Sequence, residues 1–208
     1  MPTMQAYTLH KLSASLVWGM WSISSLGQNL AVRPDLHVGD RWVFHETGTD
    51  DGRPIDRRWS REIVEITPDG AIRVKRGDGN LLSFDLSWNP RPANHPEIGH
   101  HNFEFPLEVG TKWTYSSSSG ERFWYQSRHE VVAFETITVP AGTYECFRLE
   151  GENRYDEKYY GERWYLTRWY CPIIRYVAKQ HLVLDIRRAG PGSRRVLDSE
   201  LIRFKAGN

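Results

Sequence analysis

Three histidines and a glutamate, His95, His100, His101 and Glu104, fall within ten residues of one another on a stretch that also carries four prolines. Imidazole and carboxylate together can ligate zinc, or act as an acid–base pair in hydrolysis. Their spacing matches none of the established zinc patterns, and a solvated polar loop has the same composition. Asp50, Asp51 and Asp56 surround Gly52 and could gather a hard cation, but they lack the ligand spacing of a calcium loop and fit a solvated turn. His129 and Glu130 are neighbours, and neighbours on a strand point to opposite faces. A Gly-x-Ser-x-Gly elbow and a glycine-rich phosphate loop are both missing. The sequence therefore assigns no catalytic residue, no metal and no cofactor. The four residues on the proline-rich stretch are its leading metal candidates.

Aromatic residues offer a different chemistry. Trp164, Tyr165, Trp169 and Tyr170 sit among Arg163 and Arg168. Rigid aromatic faces flanked by arginine suit stacking on a glycan or enclosing a small apolar ligand. On a strand, Trp164 and Tyr165 point to opposite sides, so one of them lies outside the main core or lines a cavity. The plainer reading is that Trp and Tyr form strands well and cover a wide, shallow core.

Positioning these groups falls to strands. Residues 136–149 centre on Pro140-Ala141-Gly142, and Pro two positions before Gly between β-prone segments marks a hairpin. Thr67-Pro68-Asp69-Gly70 repeats that chemistry seventy-two residues earlier, glycine to glycine. Val38-Gly39-Asp40-Arg41-Trp42 likewise has a counterpart in Val109-Gly110-Thr111-Lys112-Trp113, seventy-one residues on. Two landmarks in one order at nearly one offset point to an internal duplication, with half-repeats at about 37–88 and 108–204 joined by a connection at 89–107. Leu82, Phe84, Leu86 and Trp88 alternate with polar residues and give the cleanest strand pattern. About ten strands and no helical period predict an all-β, antiparallel protein, either a β-sandwich or a partly open β-barrel.

Length and charge fit that architecture. The 208 residues suit a single domain, and nine Trp, ten Tyr and eight Phe with a quarter of charged residues describe half-buried strands. A net charge of +1 gives no reason to expect nucleic acid as a partner. Residues 1–27 stand apart. They contain no acid, a single lysine at Lys11, an apolar run over 14–23 and the small-residue exit Ser25-Leu26-Gly27. That is the pattern of a signal peptide cut near Gly27, leaving 28–208 as the β domain, with no transmembrane segment in the mature chain. Export to the periplasm or beyond would place Cys146 and Cys171, the only cysteines, in an oxidising compartment. If residues 144–152 pair with 159–166, the two come within reach of each other. They form a disulfide, or Cys146 is an ordinary buried thiol.

Phe105-Pro106-Leu107-Glu108-Val109-Gly110-Thr111-Lys112-Trp113, then Thr138-Val139-Pro140-Ala141-Gly142-Thr143-Tyr144, then Trp164-Tyr165 ahead of Ile174-Arg175-Tyr176-Val177, resemble the motif order of bacterial exported β-rich proteins of unknown function. The resemblance covers the second half directly and the first half through the repeat. It implies an exported β-sheet protein and assigns no active site. Three classes follow, in order of support: an exported binding or accessory protein of the cell envelope, taking a small apolar or glycan ligand or an envelope protein; a hydrolase with a His/Glu or metal site on the 89–107 connection; and a structural or assembly component docking through a strand edge.

Overall fold

The computed structural model describes residues 29–91, 101–118, 123–188 and 190–207. Ten antiparallel strands form one continuous sheet in the order β4-β3-β2-β1-β10-β9-β8-β7-β6-β5. They are β1 (Arg41–Asp50), β2 (Arg53–Ile66), β3 (Ala71–Arg76), β4 (Leu81–Asp85), β5 (Lys112–Ser118), β6 (Phe123–Val139), β7 (Gly142–Glu157), β8 (Tyr160–Cys171), β9 (Tyr176–Arg187) and β10 (Ser193–Lys205). A single 3-10 turn, Pro172–Ile174, separates β8 from β9. The outer strands β4 and β5 do not pair with each other, so the sheet stays open. Of the two expected architectures, a β-sandwich or a partly open β-barrel, the second is nearer: the described residues form one unclosed sheet and no second one.

Two meanders build it. β1–β4 and β5–β10 each fold by consecutive hairpins, and the first and last strands pair to weld them, Arg41 opposite Lys205 and Asp50 opposite Arg195. Each meander opens on the same clasp. Gly39 and Gly110 take φ of 92° and 94°, values that suit glycine. The Gly39 N–H donates to the Ile63 carbonyl at 2.8 Å while the Ile63 N–H donates to Asp40 at 2.9 Å. In the second meander Gly110 donates to Val131 at 2.8 Å and Val131 to Thr111 at 2.9 Å. A register shift follows in both, at Ile63/Glu65 and at Val131/Ala133. These shared features reach the first three strands of each run, and β9 and β10 have no counterpart in the shorter one.

One face of the sheet is buried along its length. Trp42, Phe44 and Glu46 of β1 share it with Ile63 of β2, Val74 of β3, Phe84 of β4, Tyr125, Ser127, His129 and Val131 of β6, and Leu166 and Tyr170 of β8. The sheet has to curl to bury it. Three strand spacings, about 14 Å on a flat sheet, separate β2 from β9, yet the Arg61 guanidinium donates to the Tyr176 hydroxyl. In the same way the Ala141 N–H at the tip of the β6–β7 hairpin reaches the Leu201 carbonyl of β10 at 3.1 Å. Close packing sets one residue on this face. A Cβ added at Gly151 would lie 2.3 Å from Nδ1 of His129, whose ring also stacks on Trp113 at 5.2 Å.

The connection between β4 and β5 departs from expectation. Trp88 does not continue the β4 alternation. The strand stops at Asp85, whose carboxylate accepts the Ser87 and Asn89 N–H groups at 2.8 Å each and turns the chain. Trp88 then sits at φ 64° and is buried against Tyr176, Trp42 and Phe84 at ring separations of 4.5, 5.4 and 5.6 Å. Asn89 and Phe103 lock together, side-chain amide to backbone, by two hydrogen bonds of 3.0 Å. Phe103 and Leu107 are buried too, and Leu107 forms a two-way backbone bridge with Ala31. The described part of the connection is thus a strap over the inner face rather than a solvated loop. Its apolar side chains complete a core that a sheet curled but unclosed leaves uncovered.

Candidate binding site

A cavity of about 520 Å³ lies between this strap and the inner face. Leu82 and Phe84 on β4, Trp88 and Phe103 on the strap, and Val177 on β9 supply its apolar wall. Its polar lining comes from Arg61 on β2, Arg168 on β8, Tyr176 and Gln180 on β9, with Ser83, Arg91 and Asn102 at its margin. Three arginines and no carboxylate line it. Arg91 is turned outward to Asp69 at 3.3 Å. The other two have no acidic partner among the described residues.

Strand alternation explains how they arrive there. Arg61 pairs with Trp42 across β1–β2, and Arg168 pairs with Gln180 across β8–β9, so both occupy inner-face positions where neighbouring residues are apolar. The Arg61 guanidinium sits 5.3, 5.6 and 5.5 Å from the ring centres of Trp59, Phe84 and Tyr176. Such contacts stabilise a cation by about 0.5–2 kcal/mol each and leave its charge intact. Its Nε is buried without a hydrogen-bond partner among the described residues, as is the Trp59 Nε1. Arg168 donates from Nε to Gln180 at 2.9 Å and from Nη1 to Asn102 at 3.1 Å, with Phe103 beneath it at 6.0 Å. Burial lowers the Arg168 guanidinium below its ordinary value, and the positive charge of Arg61 acts in the same direction. Deeper in the same face, burial pushes the Tyr125 hydroxyl up to about 12.

Arg61, Tyr176, Val177 and Gln180 also line a second cavity of about 530 Å³ beside the first. Its lining holds Glu46 and Asp78 beside six arginines, and part of that charge is paired. Arg57 donates to Glu46 at 2.6 Å, and the Ser199 hydroxyl donates to the other Glu46 oxygen at 3.0 Å. The cavity under the strap differs in having no carboxylate in its lining.

The residues singled out in the sequence fall elsewhere. Trp164 and Tyr170 point to the inner face, Tyr165 and Trp169 to the outer, so the four form no single platform. Tyr170 is wholly buried, 5.6 Å from Phe103 and 5.3 Å from Phe105, and has no face free for a ligand. Tyr165 is 42% exposed. Trp169 donates its indole N–H to Glu135 at 2.6 Å, with the Lys179 ammonium 5.7 Å from its ring. His95 and His100 lie outside the described residues. His101 stacks on Tyr115 at 4.7 Å, and its carbonyl accepts the Trp113 indole N–H at 2.9 Å, while Glu104 is exposed. Among the described residues no three His, Cys, Asp or Glu side chains gather as a metal site would require. Asp50 and Asp56 engage Arg195 at 2.5 Å and His45 at 2.8 Å, and Asp51 accepts the Arg194 N–H at 2.7 Å. Cys146 and Cys171 are joined in a disulfide and both sulfurs are buried.

This is an all-β protein built on one unclosed antiparallel sheet, with a strapped cavity on its inner face. No family model and no curated protein matches the chain. Solved structures to which the chain is similar include a Bacteroides fragilis protein described as exported with a YmcC-like fold (12% identity, TM-score 0.44, 84% of this chain and 99% of that one). A Parabacteroides distasonis protein described as a lipoprotein aligns at 12% identity with a TM-score of 0.45, over 86% of this chain and all of its own. The hypothetical lipoprotein YmcC from Escherichia coli gives 12% identity and a TM-score of 0.39, over 80% of this chain and 86% of its own. No helix among the described residues is long and apolar enough to cross a membrane.

Proposed function

We propose that this is an exported protein that binds a small molecule in the cavity between the strap and the inner face of the sheet. The observation that carries the reading is the cavity itself: about 520 Å³, walled by aromatic and aliphatic side chains, with a few convergent polar groups. That volume and that mixed lining are those of small-molecule sites. Arg, Asn, Gln and Tyr hold and orient a ligand, and the described lining contains no acid–base pair to transform one.

Export rests on the residue pattern of 1–27 and is supported by the disulfide, since such bonds persist in oxidising compartments. Ala31 is the first buried residue of the described chain, four positions beyond the proposed cut. Protein recovered from the native host should have an intact mass lacking about the first 27 residues. A cytoplasmic product retaining Met1 would overturn the export half of the reading.

Binding is tested with N-phenyl-1-naphthylamine, a neutral aromatic probe that fluoresces on leaving water. It should bind in a 1:1 ratio, and Leu82→Trp, which fills the cavity from β4, should abolish the signal without lowering the melting temperature. Failure of the wild-type protein to bind this or any other probe that the cavity can hold would remove the reading.

A further inference from the structure

Resting on the cavity as a ligand site, we infer that its ligand is an oxyanion carried on an aromatic or apolar body, with the anionic group held between Arg61 and Arg168. The lining already described contains both guanidinium groups and no carboxylate. Both arginines are half-buried, and a charge drawn partly out of water without a counter-charge is costly; folded proteins answer it with an acid, a metal or a ligand. The two buried carboxylates of the described chain follow that rule: Asp40 has Arg175 at 2.8 Å, and Glu46 has Arg57 at 2.5 Å. Arg61 and Arg168 depart from it together, from strands four positions apart in the sheet, and the curl brings them to one cavity.

The donor inventory points the same way. Arg61 Nε lacks an acceptor among the described residues, and the Tyr176 hydroxyl and the amides of Gln180 and Asn102 add further donors around the same space. A site rich in N–H and O–H donors and poor in acceptors selects an acceptor-rich group, and the guanidinium fork matches the geometry of carboxylate, phosphate or sulfonate. Leu82, Phe84, Trp88 and Phe103 form the opposite wall, which requires the rest of the ligand to be apolar. A bare inorganic ion would leave that wall empty.

A matched pair of probes tests this. The dye 1-anilinonaphthalene-8-sulfonate has the same anilinonaphthalene body as N-phenyl-1-naphthylamine and adds one sulfonate. The wild-type protein should bind the sulfonate at least about tenfold more tightly, the scale of one charge-assisted hydrogen bond. Arg168→Met and Arg61→Met, which keep length and remove charge, should each weaken sulfonate binding about tenfold more than they weaken binding of the neutral probe. The neutral probe thus reports that each variant is folded and its cavity intact. Equal affinity of the wild-type protein for the two probes, or sulfonate binding unchanged in both variants, would overturn the inference and leave the cavity as a ligand site. Binding of neither probe would overturn both.

Discussion

Asp40→Asn is expected to lower the stability of this protein by about 3–5 kcal/mol, the usual cost of breaking a buried ion pair from one side. Asp40 is fully buried at the entrance to β1 and its two oxygens take four hydrogen bonds. Arg175 Nη1 donates to both, at 2.8 and 3.0 Å; the His37 N–H donates to Oδ2 at 3.0 Å; and the Gly207 N–H donates to Oδ1 at 2.8 Å. One carboxylate thus ties the approach to the first strand, the bend after the 3-10 turn and the tail after the last strand. Arg175 is held there at φ 61°, and its carbonyl and that of Ile174 accept the indole N–H groups of Trp88 and Trp42 at 3.0 and 2.8 Å. Asparagine keeps the shape but removes the charge that Arg175 faces, and it presents N–H donors to other donors. Urea unfolding monitored by Trp fluorescence measures the loss. Asp35→Asn, whose side chain is 89% exposed, serves as the control and should stay within about 0.5 kcal/mol of the wild type. A loss below about 1 kcal/mol at Asp40 would show that the hub contributes little, because breaking a buried pair should cost several times that.

Removing the disulfide ranks second. It closes a loop with a sequence separation of 25, for which the chain-entropy account gives about 3 kcal/mol. For a domain of this size that corresponds to a fall in melting temperature of roughly 6–12 °C. The Cys146→Ala/Cys171→Ala variant should show that fall and should not respond to reductant. Because both cysteines are fully buried, a phosphine reductant should act on the wild-type protein in urea and spare it when folded. Labelling that finds two free thiols in protein denatured without reductant would show that the bond is not formed.

The hairpins were readable because their chemistry is local. Pro68 to Gly70 and Pro140 to Gly142 specify reversals within a few residues, and each sits between strands that pair as the alternation requires. The cysteine pairing was half readable. Proximity followed from the expected hairpin, but the facing position required the register that puts Phe147 opposite Tyr170 and so aligns the residues beside them. Trp88 was misplaced because its alternation with Phe84 and Leu86 is real in the sequence, whereas the Asp85 carboxylate ends the strand through hydrogen bonds that no periodicity displays.

Arg61 and Arg168 were not readable at all as a site. Each looks like an ordinary strand arginine, and 107 residues separate them. Their meaning arises only when the sheet curls and the strap covers it. The aromatic run on β8 drew attention for its composition, yet strand alternation divides it between two faces. The one signal that pointed inward was the apolar Phe103, Phe105 and Leu107 on a stretch otherwise dominated by Pro and His.

The seam between β1 and β10 also sets the order in which the fold can be completed. Arg41 meets Lys205 and Trp42 meets Phe204, so this interior pairing of the sheet joins nearly the whole length of the described chain. Each meander can zip by short-range hairpins within its own sequence, but the loop closed by the seam carries a large entropic cost before any contact rewards it. Until then β1 and β10 are two long, unpaired edges of ten and thirteen residues, each able to accept a strand from another molecule. While unpaired, these two strands are open to misassociation, and pairing the last strand with the first closes both, leaving only the shorter outer strands β4 and β5 as edges.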